Sequence, residues 1–230
     1  MYFYQSNREV CQYISEHELW VLGRITGIHN KTTHKNEKML EPLWRKYDKN
    51  IEGISIFYSK MDAAFHSTYL AQRFNKKWDV YPLDDFNIKE MMMNNQQIKK
   101  TDDYHLLLHA GLWANKEHEI ISSNYHLAQV TIPAKYNPGI ITEDSEHPIL
   151  QIPQKITDEF CKIWRKRFPD FINHTKSLCS YDIDYLKEQS LIAYNRIKLK
   201  ESSRIDDCVY MATWENSWIF CNPENLNLIK

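Results

Sequence analysis

The sequence predicts an α+β fold, with a mainly antiparallel sheet, peripheral helices and a C-terminal β-hairpin. Three observations lead there. Short β-branched and aromatic runs such as Ile54-Ser55-Ile56-Phe57-Tyr58 recur between turn residues. Helix-period stripes such as Phe160, Ile163, Trp164 and Phe168 stand between them. Only five glycines occur in 230 residues, with neither GxGxxG nor GxxxxGK[ST], so nucleotide folds wound on tight glycine turns are disfavoured. No Gly/Ser-rich linker interrupts the chain, and 1–230 reads as a single domain with a helical subregion over 155–200.

In chain order, Tyr2-Phe3-Tyr4 reads as a short strand, and Ser6 with Glu9 forms a capping box that opens a helix carrying Val10, Tyr13, Ile14 and His17. Glu18 to Leu22 reads as a strand closed by Gly23, and Ile28 to Glu37 as a polar loop. Met39, Leu40, Leu43, Trp44 and Tyr47 make an apolar helical stripe. After a break at Asp48 to Gly53, Ile54–Tyr58 is a strand and Ser59 caps a helix carrying Phe65, Tyr69 and Phe74. Asp84 to Lys100 reads as helical, and Tyr104 to His109, Glu119 to Ile121 and His126 to Ile132 as strands. Prolines at 133, 138, 148 and 153 mark a long connection. Thr157-Asp158-Glu159 places acidic residues at the positive end of a helix that Pro169 stops. Asp182 to Leu199 is a further helix, and Cys208–Thr213 with Trp218–Cys221 flank a hairpin turn over 214–217.

Composition bounds the function. At 43% hydrophobic and 26% charged the chain is an ordinary globular one, and it has no apolar run of the roughly 18 to 20 residues that a membrane helix needs. The start MYFYQSNREV lacks the features of a secretory signal, so a cytoplasmic location is expected, with export as an effector by a signal-independent route left open. A formal charge of −1 gives no global basic field, which disfavours nucleic acid. The 24 isoleucines, and 21 lysines against 8 arginines, fit an AT-rich bacterial or phage gene.

Candidate chemistry is sparse. His105 and His109 share a face on either a strand or a helix, but no HExxH or CxxC frames them, and no metal site is assigned. Five cysteines without a two-residue spacing read as buried thiols. Lys162, Arg165, Lys166 and Arg167 fall opposite the aromatic stripe of their helix, which is the arrangement of a solvated face.

One constellation remains in the first half of the chain: Tyr2-Phe3-Tyr4, His17-Glu18-Leu19-Trp20, Ile54 to Asp62, and Trp113 to Ile120 with its two glutamates. In order and approximate spacing it resembles a family of uncharacterised bacterial proteins related to the ADP-ribosyltransferase-like superfamily. The resemblance ends near Ile132. It implies a split β core holding NAD in a cleft, with a strand-borne acidic residue near the nicotinamide ribose. Glu119 and Glu117, on one face of a strand, are then the candidate catalytic carboxylates, because a fixed carboxylate grips a ribose hydroxyl and stabilises oxocarbenium charge. Tyr58 and Ser59 become candidates to contact the nicotinamide ribose, and Tyr4 lines the entrance. The chain departs from active members in having no His or Arg at the end of the first strand. The bland alternative for the two glutamates is an exposed strand face.

Two readings follow. One is a protein handling NAD, as substrate, or a nucleotide-like ligand, with ADP-ribose transfer to an unspecified acceptor. The other is a non-enzymatic accessory, immunity or effector protein with a protein partner, for which 13% aromatic content and seven tryptophans supply a surface. An exposed aromatic patch without a polar cleft favours the second; a cleft converging on Tyr58 and Glu119 favours the first.

Overall fold

The computed structural model describes residues 13–15, 17–30, 35–47, 51–88, 90–91, 104–123, 126–136, 150–152, 154–165, 171–202, 207–212 and 217–221. Its elements are β1 (Tyr13–Ile14), β2 (Trp20–Asn30), β3 (Lys35–Pro42), β4 (Trp44–Lys46), β5 (Glu52–Phe57), α1 (Lys60–Phe74), β6 (Asp79–Pro82), β7 (Tyr104–Ala114), β8 (Ile120–Ser123), β9 (His126–Leu127), β10 (Gln129–Tyr136), β11 (Leu150–Gln151), α2 (Gln154–Arg165), α3 (Phe171–Cys179), α4 (Ile183–Arg196), β12 (Leu199–Glu201), β13 (Asp207–Ala212) and β14 (Ser217–Cys221). The α+β class is thus observed, with a large and mostly antiparallel sheet.

The sheet runs β12-β8-β7-β5-β2-β3, with β10 and β13 added to β7, β4 to β5, β6 to β2, β9 to β8 and β14 to β13. It is mixed: β5 and β7 are parallel, joined by a crossover that contains α1, and β12 is parallel to β8. The C-terminal hairpin is present, β13 pairing with β14 from Cys208↔Cys221 to Ala212↔Ser217. Among the described residues no helix is long and apolar enough to cross a membrane.

Strand alternation builds the two cores. Val21, Ile54, Ile56, Leu106 and Leu108 face α2 and α3, against Phe160, Trp164 and Phe171. Their neighbours Trp20, Leu22 and Phe57 face the other way, against α1 and α4, where Phe65, Leu70, Leu186 and Ala193 are buried. Each fully buried aromatic or aliphatic side chain contributes about 1.5–3 kcal/mol, so both layers hold the sheet.

Four expectations need correction. Residues 39–47 form strands, not a helix: Pro42 sits in the middle of the stripe and removes a helical donor, and β3 pairs with β2 from Gly23↔Pro42 to Asn30↔Lys35. The loop expected over 28–37 is therefore mostly the two arms of that hairpin. Tyr13 and Ile14 are extended, paired in parallel with Leu150 and Gln151, so the helix expected from Ser6 does not run through them. The region after Asp84 opens with a short 3-10 turn at Leu83–Asp85, with helical residues at Ile88, Glu90 and Met91. Tyr2-Phe3-Tyr4 and residues 92–100 lie outside the described residues.

Candidate functional site

The β5–α1 junction was the best-marked segment in the sequence, and it folds as a closed polar knot. Ser59, in extended backbone, caps α1 by accepting from the N–H groups of Met61 at 3.2 Å and Asp62 at 3.4 Å. Its Oγ also accepts from the Tyr210 hydroxyl at 3.3 Å. The Tyr58 hydroxyl shares a 2.9 Å hydrogen bond with Thr157 of α2, and its ring meets Phe160 edge-on. Tyr58 and Ser59 are both buried. Hydrogen bonds from their polar atoms tie α1, α2 and β13 together.

Asp62 completes the knot. β7 stops pairing with β5 at His109 and begins pairing with β13 at Leu112. Between them Gly111, at φ +91, turns its N–H away from the ladder and donates to Asp62 Oδ2 at 2.9 Å. A side chain at Gly111 would overlap the Trp164 ring, so the close approach requires glycine as much as the dihedral does. Burial pushes the Asp62 carboxyl up to about 7, against the opposing pull of the Gly111 bond. Burial and the Asp62 charge drive the Tyr210 hydroxyl well above its ordinary range.

Glu117 and Glu119 lie in the turn joining β7 to β8, since β8 begins only at Ile120. The strand geometry expected of them is corrected by Asn115, whose side chain accepts from the Glu119 N–H at 2.8 Å and donates to Glu119 Oε2 at 2.9 Å. Glu117 is exposed beside Lys116. Tyr58 donates its N–H to His109, and the five residues from there to Ala114 are about 16 Å of strand, so the fold does not bring Tyr58 and Ser59 to the glutamates. Tyr4 lies outside the described residues.

The opposite end of α1 is different. A cavity of about 330 Å³ opens between α1, β2, β3 and β9, its lining including Arg24, Glu41, Leu70, Phe74, Trp78 and His126, with Lys76, Leu43 and Trp44. Arg24 lies 4.7 Å over the Trp78 ring and its Nε donates to Glu41 Oε2 at 2.7 Å. A second cavity of about 250 Å³ lies against Trp78, Asp79 and Lys187, the last two paired at 3.0 Å.

Deeper along α1, a set of polar groups converges on the α1 side of the sheet. Arg45 on β4 donates through Nη1 to Gln129 Oε1 and through Nη2 to the Leu127 carbonyl at 3.3 Å. No carboxylate pairs with it among the described residues, and burial lowers its guanidinium to about 10. His66 of α1 and His109 of β7 are fully buried, and burial with the Arg45 charge holds both imidazoles well below their usual range. His126 is lowered to about 4 for the same two reasons. The Thr131 hydroxyl lies 2.8 Å from His109 Nδ1 and 3.1 Å from the Gln129 carbonyl. Among the described residues His109 Nε2, both His66 nitrogens, Gln129 Nε2 and Ser55 Oγ have no hydrogen-bond partner.

Sequence reasoning weighed His109 only with His105, and the partners that matter come from β4, α1 and β10. The available signals were an arginine directly after Leu43-Trp44 and a histidine inside the run Ala63 to Leu70, at helical spacing from Leu70 and Phe74. No group of three or more His, Cys, Asp or Glu among the described residues is arranged to hold a metal ion. In comparisons with protein-family models, curated proteins and solved structures, nothing matches this chain.

Proposed function

We propose that this chain handles a nucleotide-like ligand, with NAD as the candidate substrate, and that the ligand enters the cavity at the C-terminal half of α1. The observation that carries the reading is one cavity of ligand size where aromatic surface from Phe74 and Trp78 meets cations from Arg24 and Lys76. A base stacks on the rings while phosphates pair with the cations. The volume is at the small end of the range for ligand sites, so a dinucleotide would seat one half inside and leave the other at the mouth. For ADP-ribose transfer a carboxylate must face the ribose. Glu41 is the carboxylate among the lining residues, oriented by Arg24, and takes the role that the resemblance gave to Glu119 or Glu117.

The test is NAD and AMP titration, read by thermal shift and tryptophan fluorescence, with NAD consumption followed in parallel. At about 100 times its dissociation constant the ligand stabilises the fold by about 2.7 kcal/mol. Lys76→Glu, at an exposed position, should weaken binding without unfolding the protein. Glu41→Gln should abolish turnover while Glu117→Gln and Glu119→Gln retain it. No shift with any nucleotide leaves the interaction-protein reading, which is favoured by the exposed Tyr181 and Tyr185, 5.5 Å apart, with Leu191 exposed on the same α4 region.

A further inference from the structure

We propose that the second cavity, against Trp78, Asp79 and Lys187, is the other half of the ligand site. The ligand is then a dinucleotide, with one nucleoside in each cavity and its diphosphate over Lys76 and Lys77. The inference rests on the nucleotide reading of the first cavity and deepens it by naming the ligand class. The backbone brings the two cavities together. Asn75 ends α1 in a left-handed conformation, and of the next three residues Lys76 lines the first cavity, Lys77 the second and Trp78 both. The α1 residues divide in the same way, with Leu70 and Phe74 on one cavity and Thr68, Ala71 and Gln72 on the other. Gly23 of β2 pairs with Pro42 of β3 on one side and with Asp79 of β6 on the other. The strands bearing Glu41 and Asp79 are therefore two strand spacings apart, about 10 Å.

Both cavities repeat one chemistry. Each has a partly exposed carboxylate held by one cation, Glu41 by Arg24 at 2.7 Å and Asp79 by Lys187 at 3.0 Å. A carboxylate has about four acceptor positions, so each keeps acceptors for the hydroxyls of a ribose. Apolar surface stands beside each pair, from Trp44 and Phe74 in the first cavity and from Ala71 and Leu191 in the second, with Trp78 common to both. The Ser67 hydroxyl donates to the Trp78 carbonyl, which ties the wall between the cavities to α1. Between the halves stand Lys76 and Lys77, both exposed and in no ion pair among the described residues. Two carboxylates flanking two adjacent cations match a molecule with two nucleosides and negative charge between them. A mononucleotide uses one half only. Glu41 faces the ribose of the bond that breaks, which places the nicotinamide nucleoside in the first cavity and adenosine in the second. At about 330 and 250 Å³ the cavities together fall well inside the range for ligand sites.

The experiment is calorimetric titration of the full chain with NAD, nicotinamide mononucleotide and AMP. Joining two halves that each bind raises the affinity of the whole, so NAD should bind at least about tenfold more tightly than either mononucleotide. Leu191→Trp fills the second cavity from an exposed position. It should remove that advantage and AMP binding, while nicotinamide mononucleotide stays within about threefold of its natural affinity. Lys77→Glu, at a second exposed position, should weaken NAD about tenfold and covers the case in which Leu191→Trp does not fold. NAD binding no tighter than that of nicotinamide mononucleotide, or an NAD advantage that survives both variants, would overturn the two-cavity site and keep the nucleotide reading of the first cavity. No binding of any of the three would remove the nucleotide reading itself, and this inference with it.

Discussion

The two ends of α1 bury similar numbers of polar groups and treat them oppositely. At the N-terminal end Ser59, Asp62, Tyr58 and Tyr210 each meet a protein partner within 3.5 Å. One turn on from Asp62, and among the described residues, the His66 nitrogens meet none, His109 and Gln129 each present one nitrogen without a partner, and no carboxylate pairs with Arg45. A buried polar group that is satisfied internally lowers the energy of one fold and offers a ligand nothing, whereas a set left unsatisfied pays a desolvation penalty that a ligand can relieve. The sequence-marked residues fall at the satisfied end, and the cavity opens at the other.

The largest expected effect comes from breaking the satisfied end. Gly111→Ala must place a Cβ into the Trp164 ring, at a φ that side chains avoid, while Asp62 still needs the N–H of that residue. Overpacking and backbone strain together should cost about 3 kcal/mol or more. Urea unfolding monitored by tryptophan fluorescence measures it, and a loss under about 1 kcal/mol would mean that the knot is not rigid.

The pH dependence of stability sharpens the comparison, because the two ends have opposite signs. Asp62 rises from an ordinary 3.8 to about 7 in the folded state, so the native protein holds an extra proton between those values. Stability from this group is full below about pH 4 and is lost as pH rises to 7, on the order of 4 kcal/mol in all. His66 and His109 are depressed, so there the unfolded chain holds the extra protons, and stability is gained as pH rises to about 6.5. In the natural protein the two trends oppose each other. Asp62→Asn keeps an oxygen for Gly111 and removes the titration, so its denaturant midpoint should climb from pH 5 to 7 and then level off. A midpoint in Asp62→Asn that falls over this range would show the histidines to be unimportant.

Much of the satisfied end was legible because its signals are local. Ile54 to Tyr58 is β-rich, Ser59 is followed by a helix-forming stretch, and strand, cap and helix all appear where those residues place them. Asp182 caps α4 in the same local way. The open end was not legible, since Arg45, His66, His109 and Gln129 come from four elements whose meeting depends on how β4, β7 and β10 are ordered in the sheet. Periodicity also misled at 39–47, where apolar residues three and four apart suit a helix, yet a strand bent at Leu43 sends Leu43 into one core and Trp44 against the other. Glu117 and Glu119 were assigned to a strand because alternation cannot distinguish a strand from the turn preceding it. The Asn115 side chain decides that question through bonds to residue 119.

The smallest effect should come from Tyr58→Phe, and it tests the most direct expectation of the resemblance. The substitution keeps the ring against Phe160 and removes only the hydroxyl, whose partner is the Thr157 side chain. If Tyr58 serves the fold, the loss is one buried hydrogen bond with its partner left in place, about 1 kcal/mol. Thr157 retains its own hydroxyl in a buried setting, so the double variant Tyr58→Phe with Thr157→Val should recover part of the loss, the signature of a coupled pair. NAD titration of Tyr58→Phe should be indistinguishable from that of the natural protein, because the ring is buried and the cavity lies at the far end of α1. A variant with natural stability and weakened NAD binding would reverse the comparison, placing the ligand at the N-terminal end of the helix after all.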